Sequence, residues 1–316
     1  MDKLLFKRLK FCIILVILVL LFSSCAQNQS SAKGIKVVAT TTLVGDVVKQ
    51  VGGDLISLTV LLPVGADPHT YEPRPQDAAA ISNAQLIFIN GLELEHSLEP
   101  IIQNNSKSQI LEVSAGVNVL PFSGELPVSS AQNSATADVH ALGDPHTWMD
   151  PNNVIIWVQN IEKGLSAADP ANKDLYAKNA SDYTLKLQSL DQWIRSEVSL
   201  VPVQNRKLVT DHMTFGYFSK AYGFEQAGLV IASLSSSAAP SAQELASLEK
   251  TISDQHITSL FVDSTVNTVM ADQISRDTGI KVVKIYSGSL GGPGSGAENY
   301  LDIMRADVTA IVTALK

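Results

Sequence analysis

Residues 169–201 read as one long helix, and no other stretch constrains the fold as strongly. Asp169-Pro170 supplies a capping side chain and a first-turn proline, and no glycine or further proline follows until Pro202. Within the run, Tyr176, Ala180, Tyr183, Leu187, Leu190, Ile194, Val198 and Val201 recur at steps of three and four, one apolar stripe. At 1.5 Å per residue the helix would span roughly 45 Å, long enough to run along two lobes. It predicts a stiff connector rather than a flexible strand hinge.

Both flanks alternate strand-like and helix-like segments. On the amino side, residues 35–39, 58–62 and 85–89 read as strands, with helices at 44–51 and 75–83. On the carboxyl side, 207–210, 257–262 and 280–286 read as strands. Helices are expected at 241–254, 269–278 and 298–315, and another opening at Asp211. Such alternation implies parallel sheets, so the fold class is α/β, two lobes joined by one long helix. The lobes are expected at 34–168 and 202–316, with the linking helix at 169–201.

The amino terminus reads as an export leader. Lys3, Lys7, Arg8 and Lys10 precede the apolar run 11–22, which is too short to stay in a bilayer unaided, and then Ser23-Ser24-Cys25. The pattern resembles a bacterial lipoprotein signal, with residues 1–24 removed, Cys25 lipidated and 25–33 a tether. Cys12 and Cys25 are the only cysteines, so the exported part has no disulfide and depends on core burial. Removing the leader leaves 19 basic and 30 acidic residues, taking the formal charge from -8 to -11. That charge argues against nucleic acid and suits a cation. Residues 129–142 form a Ser/Ala/Gln/Asn-rich loop containing His140.

Three histidines lie at strand ends or in turns. His69 and His146 share the context Asp-Pro-His-Thr, and His212 follows the strand at 207–210. A turn alone would accept any polar residue, whereas imidazole is the commonest protein metal ligand. Rings from distant loops converging in a cleft would supply three of the four ligands that zinc needs. His96, in an acidic helix start, and His256, before a strand, read as solvated side chains.

The segments GADPHTYEP, DPHTWMDP, TDHMTFGYF and the IYSGSLG…YLDIM ending resemble the metal-binding, substrate-binding lipoproteins of ABC importers (cluster A-I type), which capture zinc or manganese. The resemblance covers residues 35–315. It implies two α/β lobes bridged by a single helix, with His69, His146 and His212 as ligands of a metal held between them. The family's fourth ligand is usually an Asp in a motif like Tyr-x-Asp-Ser-Leu-Gly. Here Gly288 stands at that position, in Tyr286-Ser287-Gly288-Ser289-Leu290-Gly291. Asp263, in Phe261-Val262-Asp263, is the remaining candidate for the fourth place.

Three imidazoles without a certain carboxylate suit Zn²⁺; two carboxylates would suit Mn²⁺ or Fe²⁺. The expectation is therefore an extracytoplasmic, lipid-anchored, monomeric zinc receptor that feeds an ABC permease, with manganese as the alternative metal. Three histidines plus water also describe a zinc hydrolase, but no Glu adjoins any of the three as a general base. Asp67, Asp144 and Asp211, close to them in sequence, can cap turns or orient the rings. A surface adhesin is compatible with lipidation and has no positive feature in the sequence.

Overall fold

The computed structural model describes residues 34–121, 143–231 and 240–316. The expected leader 1–24, Cys25, the tether 25–33 and the whole of the loop 129–142 with His140 lie outside them.

Two four-stranded parallel sheets carry the fold. The first contains β1 (Ile35–Ala39), β2 (Ile56–Val60), β3 (Leu86–Ile89) and β4 (Gln109–Glu112) in the order β2-β1-β3-β4. The second contains β5 (Lys207–Thr210), β6 (Glu225–Leu229), β7 (Ser259–Asp263) and β8 (Lys281–Ile285) in the order β6-β5-β7-β8. Each order reverses direction once, between β1 and β3 and between β5 and β7. At such a reversal the connections leave the strand ends to opposite sides and open a crevice at the carboxyl edge.

Nine α-helices cover the sheets among the described residues: α1 (Thr42–Gly52), α2 (Pro75–Asn83), α3 (Glu99–Asn105), α4 (Pro151–Ala168), α5 (Lys173–Val198), α6 (Gly216–Tyr222), α7 (Ala242–Asp254), α8 (Val269–Thr278) and α9 (Tyr300–Leu315). None is long and apolar enough to cross a membrane. Their starts follow local chemistry. The Thr41 hydroxyl accepts from Val44 N at the head of α1, Asp150 accepts from Asn152 N at the head of α4, and Ser241 and Glu244 cap α7 reciprocally.

The long helix is α5. All eight stripe residues are buried, and the helix packs on α1 and α4 of the first lobe and on α9 of the second. One continuous apolar cluster therefore runs from Val37 and Trp157 through Leu187 and Leu190 to Tyr300 and Val308. The helix has 26 residues, about 39 Å, and starts later than expected. The reason is local: the Asp169 carboxylate accepts from Asn172 Nδ2 (2.7 Å) and Tyr176 Oη (2.8 Å), so residues 170–172 close into a 3-10 turn first.

Other boundaries shift for similar reasons. β7 starts at Ser259 because Ile257 N donates to Ile252 O and finishes the preceding helix, with His256 at φ 54°. The helix expected to open at Asp211 begins at Gly216, because residues 211–215 form a loop at the end of β5.

Candidate metal centre

His69 and His212 follow the carboxyl ends of β2 and β5, and His146 lies in the loop that leads into α4, beside the end of β3. After β2, Leu61 N and Leu62 N still bond along β1, to Ala39 O and Thr40 O, before the chain turns at Pro63. The Asp67 Oδ1 atom then accepts from His69 N at 2.9 Å, a short side-chain turn that fixes the ring's backbone. The second Asp-Pro-His-Thr repeats this geometry: Asp144 Oδ1 accepts from His146 N at 2.9 Å. That loop is also held from β3, since Asn90 Nδ2 donates to Pro145 O at 3.0 Å. His212 follows β5 directly, and the Thr210 hydroxyl donates to His212 O at 2.8 Å.

The rings meet as a nearly equilateral triangle, with centroid separations of 5.2, 5.4 and 5.4 Å. One ring nitrogen from each lies within 4.8 Å of the others. His146 and His212 are buried, and His69 is partly exposed. Asp144 Oδ1 sits 2.8 Å from His146 Nδ1, and Asp211 Oδ2 sits 2.8 Å from His212 Nδ1. A carboxylate can only accept there, so both rings keep their proton on Nδ1 and turn an Nε2 lone pair elsewhere. His146 Nε2 faces His69 Nε2 at 3.1 Å, and His212 Nε2 faces the Thr214 hydroxyl at 2.9 Å. Two imidazole nitrogens that close are held by a shared proton or a shared cation. Tetrahedral Zn–N bonds of about 2.05 Å would set them about 3.3 Å apart.

Charge tunes the rings differently. Burial, then the neighbouring His146 and His212, hold the His69 pKa well below the usual imidazole value, so it stays neutral. For His212 burial pulls the same way, but the Asp211 charge and hydrogen bond, with Asp263 and Asp67 behind them, raise its pKa overall.

Asp263 lies at the end of β7, fully enclosed by donors. Its Oδ1 accepts from Thr265 N and Thr265 Oγ1, both at 2.5 Å. Its Oδ2 accepts from Ser287 N (2.5 Å), Gly288 N (2.6 Å) and the Ser287 hydroxyl. Among the described residues the converging ligand atoms at this place are the three imidazoles, with Asp263 in the surrounding network. A Cβ at Gly288 would stand 3.3 Å from Pro68 Cδ, 3.6 Å from Thr265 Oγ1 and 3.7 Å from Asp263 Oδ2. A side chain there would press on Pro68 in the His69 turn, and glycine avoids that contact.

Several supporting residues carry no sequence signal strong enough to find them. Trp148 stacks edge-on against His146 at 5.2 Å and donates its indole N–H to Ser287 O at 2.8 Å. The Tyr217 hydroxyl donates to Asp144 O at 2.8 Å, and Ser289 Oγ accepts from Gly65 N at 2.9 Å. All three contacts tie segments of one lobe to segments of the other. His96 instead lies on the surface with Glu93 and Glu99, all exposed, and His256 is exposed too.

Comparison with known proteins places these features. Residues 37–314 match the family described as zinc-uptake complex component A, periplasmic (ZnuA). The manganese-binding lipoprotein MntA of Halalkalibacterium halodurans is 30% identical over 98% of this chain and 99% of its own length. The manganese ABC transporter substrate-binding lipoprotein PsaA of Streptococcus pneumoniae is 32% identical over the same shares. Among solved structures, a Mn-bound periplasmic metal-binding protein from Candidatus Liberibacter asiaticus superposes with TM-score 0.76 at 28% identity, covering 89% of this chain and all of that one. The periplasmic zinc-binding protein TroA of Treponema pallidum gives TM-score 0.76 at 25% identity, over 89% and 99%.

Proposed function

The chain belongs to the ZnuA family of metal-binding, substrate-binding proteins of ABC transporters, and from that premise we propose that it captures Zn²⁺ between its lobes and hands it to a membrane permease. The ligands are His69, His146 and His212. The observation that carries this reading is that Asp144 and Asp211 fix the proton of two of the rings on Nδ1, leaving Nε2 basic and aimed. Three neutral imidazoles suit zinc, and water can complete a tetrahedron.

Asp263 acts as the residue that holds the loop 287–288 at the site, because five donors already occupy its two oxygens. Lobes at 34–168 and 202–316 with the linking helix between them, a lipid anchor on Cys25 at the outer face of the membrane, and a monomeric state complete the reading. A stiff α5 limits lobe swing, so release depends on small shifts at the interlobe contacts. A hydrolytic role has no support at this site, where Asp144 and Asp211 are both engaged with imidazoles.

Manganese is the second reading. It is favoured by the names of the relatives MntA and PsaA, and by the carboxylates of Asp67 and Asp263 acting on His212. Competitive titration of zinc against manganese, on the wild type and on His212→Ala, tests both. Zinc-selective binding at one equivalent, lost in the variant, is expected. Manganese preference would put a carboxylate in the shell, and absence of binding would refute a metal receptor.

A further inference from the structure

We propose that the Thr214 hydroxyl competes with the metal for His212, which makes His212 the last of the three ligands to bind and the first to leave, and so tunes release of the cargo. This rests on the reading of the three histidines as the metal site. Thr214 Oγ1 stands 2.9 Å from His212 Nε2, the atom that this reading gives to the metal.

The direction of the bond follows from the other side of the ring. Asp211 Oδ2 lies 2.8 Å from His212 Nδ1, and a carboxylate only accepts. The neutral ring therefore carries its proton on Nδ1, Nε2 is a bare acceptor, and the hydroxyl is the donor. That nitrogen has one lone pair, in the plane of the ring, which can meet a hydroxyl proton or a metal ion but not both. Among the described residues no hydroxyl bonds the other two ligand nitrogens in this way: His69 Nε2 and His146 Nε2 face each other at 3.1 Å.

Burial gives the competition its weight. Thr214 is 1% exposed and His212 4%, so water has little access to replace either partner. Among the described residues the hydroxyl has no second partner. Coordination at Nε2 therefore breaks a buried O–H···N bond and leaves a buried hydroxyl unmatched. An interaction made only while the metal is away lowers affinity by its own free energy. It acts on one lobe alone, because His69 and His146 come from the first lobe and His212 from the second. The first-lobe pair holds the ion first, and as the ion leaves, the hydroxyl re-forms its bond to His212 and offsets part of the coordination lost.

The test uses the full chain purified in detergent. Zinc affinity is measured by competition against a chelator at about pH 8.5, above the ordinary imidazole value, for the wild type, Thr214→Val, Thr214→Ala and Thr214→Ser. The first variant keeps the shape without the donor, the second removes the donor without adding bulk, and the third keeps the hydroxyl. The expected result is zinc bound about two- to tenfold more tightly by Thr214→Val, Thr214→Ala or both, with Thr214→Ser at the wild-type value. A threonine that only supports the loop, or that itself donates to the metal, would weaken binding when removed, so the sign separates the roles. In a variant that gains, ¹⁵N NMR of the metal-free protein should show the His212 Nε2 resonance moved downfield, towards a ring nitrogen free of hydrogen bonds. No gain in either variant, an equal gain in Thr214→Ser, or a gain without that shift overturns the inference while leaving the metal site intact. A wild type that binds no metal overturns the metal-site reading as well.

Discussion

Asp144→Asn is the sharpest test of how the site is organised. Asp144 and His146 are 2% and 1% exposed, and their 2.8 Å contact carries a full charge. An asparagine oxygen can still accept from both His146 N and Nδ1, so the ring need not move. What is lost is the negative charge that offsets the positive charge the ring acquires on coordinating a cation. Partners of this kind are worth about 10–100-fold in metal affinity, or about 1.4–2.7 kcal/mol. Asp144→Ala additionally strands His146 N and frees the ring to take the other tautomer, so it should fall at or beyond the upper end. Affinity is read by competition against a chelator at fixed pH, with thermal unfolding of the metal-free protein as the folding control. If both variants bind zinc as the wild type does while folding normally, the carboxylate does not set the tautomer and the reasoning fails.

Gly288→Asp should move selectivity towards manganese by roughly tenfold, because it adds a hard oxygen donor beside three imidazoles; Pro68 must yield by a few tenths of an ångström, and an unchanged Zn/Mn ratio in competition would count against it. Metal affinity should fall as pH drops: His69 is depressed and stays neutral, whereas His212 is raised and must lose its proton to bind, so weakening begins above the ordinary imidazole value. A flat affinity from pH ~8 to ~5 contradicts this. Glu95 is fully buried, and burial, against hydrogen bonds from Thr40 Oγ1, Asn90 N and Gly91 N, lifts its pKa to about 7. A raised carboxyl means the folded state holds the extra proton, so stability is lost as pH rises from the unfolded value to about 7, by up to about 3 kcal/mol. Glu95→Gln should flatten that part of the melting-temperature profile of the metal-free protein, and an unchanged slope would show that Glu95 is not its source.

The sequence by itself determined the fold class, the long helix and the three histidines. Each rests on a local rule: the spacing from Tyr176 to Val201 obeys the helical period, and a repeated Asp-Pro-His builds its own turn whatever surrounds it. Elements without such a local mark were not legible. β4 is Gln-Ile-Leu-Glu with little burial on an edge, and β6, Glu-Gln-Ala-Gly-Leu, has no alternation; each is a strand because a parallel neighbour supplies its hydrogen bonds. The start of α4 does carry a signal in Asp150-Pro151, a cap and a first-turn proline that also close the histidine motif. Only the tertiary structure decided that imidazoles 66 and more residues apart meet, that five donors enclose Asp263, and that Gly288 packs against Pro68 of the His69 turn. Those facts depend on how two sheets are set along one helix, and distances across a cleft are fixed by packing, which no single segment encodes.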